Sequence, residues 1–131
     1  MDRFRVRKSR IHGKGLFTLQ SLPARRKIGE LSGELIRLWE ARRRARGMPC
    51  IAIVEFEDGW ALDASRGGND FRYVNHSCAP NTYLRRIGHH VELYALRDVE
   101  AGEELTCNYG ETQHEGTLPC RCGAPGCRSL L

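Results

Sequence analysis

Glycines at residues 13, 15, 29, 33, 47, 59, 67, 68, 88, 102 and 110 cut this chain into pieces too short for long helices or long strands. Between them the apolar residues mostly alternate, the period of a strand with one buried face. Phe4 and Val6 alternate within residues 3–8, residues 50–56 read as an apolar strand, and 60–63 return after Glu57-Asp58-Gly59, where Asp-Gly suits a tight primed turn. Residues 28–36 are extended and interrupted at Gly33. Residues 82–87 and 89–96 form a second hairpin about Gly88, and 105–110 end a strand with a tyrosine before glycine. One segment has helical spacing: Leu38, Ala41 and Ala45 share a face, Arg42, Arg43, Arg44 and Arg46 lie mostly elsewhere, and Gly47 with Pro49 makes a stop. Arginines in the last turn of a helix complement its dipole, which is a sufficient reason for them. The expectation is a mainly β fold of small sheets with one short surface helix.

A chain of 131 residues is large enough for one domain with a core of its own. No apolar run approaches the length of a bilayer crossing and residues 1–5 lack a signal-peptide core, so a soluble, intracellular protein with no membrane partner is expected. The formal charge of +5, carried mainly by arginine, speeds encounters with acidic partners or nucleic acid without conferring specificity.

The most polar stretch is Arg72-Tyr73-Val74-Asn75-His76-Ser77-Cys78-Ala79-Pro80-Asn81. Two carboxamides, an imidazole, a hydroxyl and a thiol within Asn75 to Asn81 are too polar for core filler and read as a binding loop. Six cysteines stand at 50, 78, 107, 120, 122 and 127, three of them as Cys120-x-Cys122-x4-Cys127. Cys-x-Cys is too close to bridge itself comfortably, and clustered thiols without a secretory signal point to zinc. His89 and His90 have no partner at ligand spacing and read as exposed turn residues. Residues 111–119 are polar and look like a tether to the cysteine cluster.

Four separated pieces fall into a recognisable order: Gly13-Lys14-Gly15-Leu16-Phe17; Glu30-Leu31-Ser32-Gly33-Glu34; Gly68-Asn69 leading to Arg72 through Asn81; and Gly102-Glu103-Glu104-Leu105-Thr106 through Tyr109-Gly110. Together they resemble the SET domain of protein-lysine methyltransferases, and Cys120-x-Cys122-x4-Cys127 is similar to the post-SET zinc segment that follows it. The resemblance runs from about Ser9 to Arg128. It implies a SET domain over 1–110 and a post-SET tether and zinc segment over 111–131. It also implies a fold in which a C-terminal segment threads, pseudoknot-like, through an earlier loop, a rare topology that would bring Asn75-His76 and Tyr109 together.

By the same resemblance, S-adenosylmethionine is the methyl donor and a lysine in a protein or peptide is the acceptor, a histone tail being one candidate. Lys14, Gly15 and Leu16 would line the donor site, the backbone of Lys14 and Gly15 holding its methionine end, which would explain why Gly15 is small. Asn75 would meet the donor with its side chain and His76 would meet the adenine through its backbone. Tyr109 would be catalytic, orienting amine and methyl group; a phenol of pKa about 10 is a poor general base at pH 7. Zinc wants four ligands, which the resemblance draws from Cys78, Cys120, Cys122 and Cys127. Leu118 and Pro119 would help cover the adenine, and Cys50 would be an ordinary buried strand thiol.

Leu31, Tyr73 and Cys107 would line the lysine channel. Leu31 stands where many members have a tyrosine, Cys107 where members carry phenylalanine or tyrosine, and Asn108 where aspartate is common. A tyrosine hydroxyl at the position of Cys107 tends to hold a water that blocks further methylation, so cysteine there predicts di- or trimethylation. A SET-fold binding module with weak or no turnover is the alternative. A basic nucleic-acid module using Arg42 to Arg46 ranks last, because no reader motif and no interleaved exposed aromatics accompany them.

Overall fold

The computed structural model describes residues 3–48, 52–108 and 127. Among them are ten short strands: β1 (Phe4–Lys8), β2 (Lys14–Thr18), β3 (Lys27–Leu31), β4 (Glu34–Arg37), β5 (Ile53–Glu55), β6 (Trp60–Asp63), β7 (Asn75–His76), β8 (Thr82–Ile87), β9 (His90–Ala95) and β10 (Thr106–Cys107). One α-helix, α1 (Leu38–Ala45), follows β4, and a 3-10 helix at Asp70–Tyr73 lies in what the sequence presents as loop. The described strands make four small sheets: β1–β2, β3–β9–β8, β4–β6–β5, and the parallel pair β7–β10. The mainly β expectation with one short helix is met.

Two local readings need correction. β5 spans only Ile53–Glu55 within the apolar run 50–56, although Ala64 N still reaches Ala52 O at 2.8 Å. Cys50 lies outside the described residues. The turn before β6 is not a primed two-residue turn. Phe56 N bonds Trp60 O at 2.9 Å around Glu57-Asp58-Gly59, and of these only Gly59 takes a positive φ, of 87°. A three-residue loop ending in a left-handed glycine is the alternative the same letters allow.

Leu16, Leu22, Ile28, Val74, Leu93, Ala95, Val99, Leu105 and Cys107 form the largest core, contributed by β2, β3, β9, β10 and the segments joining them. A second cluster seats α1: Ala41 and Ala45 pack against Ile36, Ile53 and Ala61. Eight residues are too few for a helix to hold by itself, and Arg37 gives α1 no side-chain cap. Packing and ion pairs hold it instead.

Arg44 reaches Asp63 on β6, Glu40 one turn back and Glu34 on β4, each at 2.9 Å. Asp63 is fully buried, which by itself would raise its pKa. Hydrogen bonds from Ser65 and Arg44 outweigh that and hold its carboxyl below the usual value. Hydrogen bonds from Arg43 and then Arg44 bring Glu40 down to about 2. Arg42 pairs with Glu55 at 3.3 Å. Three of the four arginines are therefore tied to named carboxylates, a more specific role than complementing a helix dipole.

The parallel pair positions the site. β10 lies beside β7 in the register Thr106↔Asn75 and Cys107↔His76, with the β8–β9 hairpin between them in sequence. Asn81 locks this arrangement. Its Oδ1 accepts Thr106 N at 2.8 Å while its Nδ2 donates to Glu104 O at 2.8 Å, and Thr82 Oγ1 donates to Thr106 O at 2.7 Å. The segment beyond Asn108 that is expected to thread, and the expected post-SET tail, Cys127 excepted, lie outside the described residues.

Candidate active site

The turn joining β1 to β2 begins at Ser9. Ser9 N donates to Gly13 O at 2.8 Å, Ile11 N donates to Ser9 Oγ at 2.9 Å, and Gly13 takes a φ of +45° to close the loop. A non-glycine residue there would carry the strain of left-handed backbone. Asn75, buried on β7, fastens this turn from beneath. Its Nδ2 lies 3.1 Å from His12 O, 3.0 Å from Lys14 O and 3.0 Å from Glu104 Oε2. An amide nitrogen carries two hydrogens, so three acceptors occupy it fully and the carbonyl Oδ1 is the part of Asn75 left to meet a ligand.

Gly15 is buried, and a side chain on it would run into the Glu104 carboxylate. A side chain at 15 would therefore displace the Glu104 carboxylate from Ser9 and Asn75, a reason for glycine inside the protein besides any ligand. Leu16 is fully buried in the main core and its carbonyl accepts Leu105 N at 2.8 Å. Lys14 is exposed, with Nζ 6.0 Å from the centre of the Tyr73 ring, and Arg72 stacks on the same ring at 4.7 Å and donates to its hydroxyl at 2.6 Å. His76 is buried, with Nε2 3.4 Å from Cys78 Sγ, and Ser77 N bonds Cys107 O at 3.0 Å.

On the other side of β10 the described residues bound a cleft of about 740 Å³ between the edges of β5 and β8, α1 and the 3-10 helix. Leu31 and Cys107 both line it, with Phe71, Val74, Tyr83 and Leu84. Tyr73 does not; it stands beside Lys14 at the β1–β2 turn. Burial pushes the Cys107 thiol up to about 12, so it is a neutral, weakly donating group at pH 7. The acids that could meet a basic peptide are mostly engaged: Glu55 with Arg42, Asp58 with His89 at 2.7 Å, and Glu92 with Lys27 at 2.7 Å. His89 is thus half-buried against Asp58, and His90 is exposed at 2.6 Å from Glu30.

Tyr109, Cys120, Cys122, Leu118 and Pro119 lie outside the described residues. Of the four expected zinc ligands only Cys78 and Cys127 are described, both half-buried. Among the described residues no three potential ligand side chains converge. Two residues at the site carry no signal in local sequence pattern. Phe71 packs against the bare Cα of Gly29 and edge-on to Phe4 at 5.4 Å, and its letters sit in an apparent loop. Glu104 looks like one of two acids in a surface turn, and its neighbour Glu103 does pair with a surface arginine, Arg97, at 2.9 Å.

A Gly-Lys-Gly turn fastened to an Asn-His strand, itself paired in parallel with a strand that leads to tyrosine, defines the SET class of domains. The SET domain family model matches residues 13–110, and the chain belongs to that family. Among curated relatives it is 38% identical over 135 residues to the histone-lysine N-methyltransferase trithorax of Drosophila virilis, covering 96% of this chain and 4% of that protein. It is 36% identical over 132 residues to the H3 lysine-4 specific histone-lysine N-methyltransferase of Schizosaccharomyces pombe, covering 94% and 14%. It is 37% identical over 137 residues to the human histone-lysine N-methyltransferase 2B, covering 96% and 5%. The chain spans a small fraction of the length of each. Among the described residues no helix is long and apolar enough to cross a membrane.

Proposed function

We propose that this chain transfers methyl groups from S-adenosylmethionine to the side-chain amine of lysine in a protein, a histone tail being the first substrate to try. The observation that carries the reading is the Asn75 amide, which ties the Lys14 turn to the strand paired with β10. That contact and the strand pairing bring together three of the four motifs whose order resembles the family.

In this reading the backbone of Lys14 and Gly15 holds the methionine end of the donor, Asn75 offers its Oδ1 to the ammonium group there, and the His76 backbone meets the adenine. The fit is chemical: an acceptor freed by the commitment of its own amide hydrogens suits a cationic group. The donor supplies a methyl group activated by a sulfonium. The protein's part is to hold the lysine amine in line with it, and positioning of that kind accounts for much of the rate in a direct displacement. Leu31, Cys107 and Phe71 make an apolar approach. Such surroundings disfavour the ammonium form of the incoming lysine, whose ordinary pKa is about 10.4. Tyr109, two residues beyond Cys107, orients the amine.

Cys78, Cys120, Cys122 and Cys127 would bind zinc, residues 111–131 forming the post-SET segment. What supports this is a set of four thiols suited to tetrahedral zinc, with Cys78 on the same loop as Asn75 and His76. The test is transfer of labelled methyl from S-adenosylmethionine to histones and other proteins by zinc-replete protein, with Tyr109→Phe as control. Transfer abolished by that change supports the enzyme. Donor binding without transfer to any protein would assign the binding-module reading instead.

A further inference from the structure

Glu104 has no part in the roles assigned so far, yet its carboxylate joins the two side chains, Ser9 and Asn75, that hold the β1–β2 turn. Its carboxylate lies 2.9 and 2.8 Å from Ser9 Oγ through its two oxygens, and 3.0 Å from Asn75 Nδ2 through Oε2. It also fills the space that a side chain on Gly15 would need. Its main chain is held independently: Glu104 bridges Phe17 of β2, its carbonyl accepts Asn81 Nδ2, and Leu105 N bonds Leu16 O. The main chain that carries the carboxylate is therefore anchored independently of the turn.

We propose that Glu104 is the positioning residue of the methyl-donor site, setting the shape of residues 9–15 through Ser9, Asn75 and Gly15. The proposal rests on the reading of that turn as the donor site. The chemistry gives the network one direction. An ionised carboxylate only accepts hydrogen bonds, so Ser9 must donate to it, which turns the Ser9 lone pairs toward Ile11 N at 2.9 Å. Asn75 must likewise present its NH2 to Glu104 and the two turn carbonyls, which leaves Oδ1 for the ligand. A carboxylate at position 104 thus reinforces the orientation of Asn75 that the His12 and Lys14 carbonyls impose, and ties Asn75 and the turn to Ser9. Glutamine would place a donor NH2 against either the Asn75 NH2 or the Ser9 hydroxyl, and one of the ties that hold Ser9 and Asn75 to each other would be lost.

The experiment compares wild type with Glu104→Gln, Ser9→Ala and, as control, Glu103→Gln, whose carboxylate faces Arg97. Three quantities are measured: S-adenosylmethionine affinity by calorimetry, the split between donor KM and peptide KM, and amide hydrogen exchange across residues 11–15 without ligand. Glu104→Gln is expected to weaken donor binding and raise donor KM about tenfold, the scale of one hydrogen bond to a charged group. Peptide KM should stay unchanged and exchange in the turn should be faster. Glu103→Gln should bind donor like wild type. Ser9→Ala should move the same way as Glu104→Gln by a smaller factor, and it carries the test if Glu104→Gln does not fold. If wild type binds the donor and both variants bind it equally well, the role of Glu104 is overturned while the donor site stands. Equal rises in donor and peptide KM, tracking a fall in melting temperature, also overturn it. If wild type fails to bind the donor at all, the donor-site reading falls and the proposal falls with it.

Discussion

Asn75 Nδ2 stands 3.0 Å from the carbonyl oxygen of Lys14, 61 residues earlier in the chain. This contact crosses from β7 to the β1–β2 turn, and it makes Asn75 sensitive to two different substitutions. Asn75→Ala removes the donor group and should weaken S-adenosylmethionine binding at least about tenfold. Asn75→Asp should be worse, since a carboxylate would face two carbonyls and the Glu104 carboxylate. Calorimetric titration of both variants checks the order; equal binding by Asp and wild type would contradict it.

Arg44 and Asp63 form the ion pair that seats α1. Removing one partner of a buried pair leaves the other uncompensated, so Arg44→Ala should cost about 3 kcal/mol in denaturant unfolding. The pH dependence has a definite sign. Asp63 and Glu40 have folded-state pKa values below their usual ones, Glu40 at about 2. The stability they contribute is present above the ordinary carboxylate pKa near 4 and is lost as pH falls toward 2. Unfolding midpoints measured from pH 6 to 2 should decline over that window, and decline less in Arg44→Ala.

Cys107 places a neutral, poorly donating thiol on the cleft. With no hydroxyl to hold a blocking water, the expected products are di- and trimethyl-lysine, and Cys107→Tyr should shift them toward monomethyl-lysine. Intact-mass spectrometry of a single-lysine peptide distinguishes these outcomes, and only monomethyl product from wild type would contradict the reading.

The zinc set predicts coupled losses. Cys122→Ser should release the metal, and a strong chelator acting on wild type should do the same. Because Cys78 lies two residues past His76, either treatment should also weaken donor binding. Metal content and donor affinity measured on the same samples test this; a fully metallated Cys122→Ser protein would refute the ligand set.

Much of this fold can be read from local pattern. Alternation marks β1 and β9, helical spacing marks α1 with its buried Ala41 and Ala45, and the string from Asn75 to Asn81 announces a site. What local pattern misses depends on partners far away. Glu104 in Gly-Glu-Glu-Leu has the letters of a solvated turn, and nothing nearby shows that Ser9, 95 residues earlier, will meet it. The smallness of Gly15 is visible, but its cause inside the protein is not. Phe71 and Tyr73 are two residues apart in one short polar stretch. The 3-10 turn sends Phe71 to the cleft and Tyr73 to Lys14, a division that a loop reading cannot make.

The pairing of β7 with β10 also sets an order of events. Pairing Thr106 with Asn75 closes a loop that contains the β8–β9 hairpin, and the full set of contacts on the β1–β2 turn needs both Asn75 and Glu104. Long-range closures of this kind come late because loop entropy must be overcome before the contacts form. The residues that would hold the methyl donor therefore acquire their working shape only when segments from both halves of the chain have met.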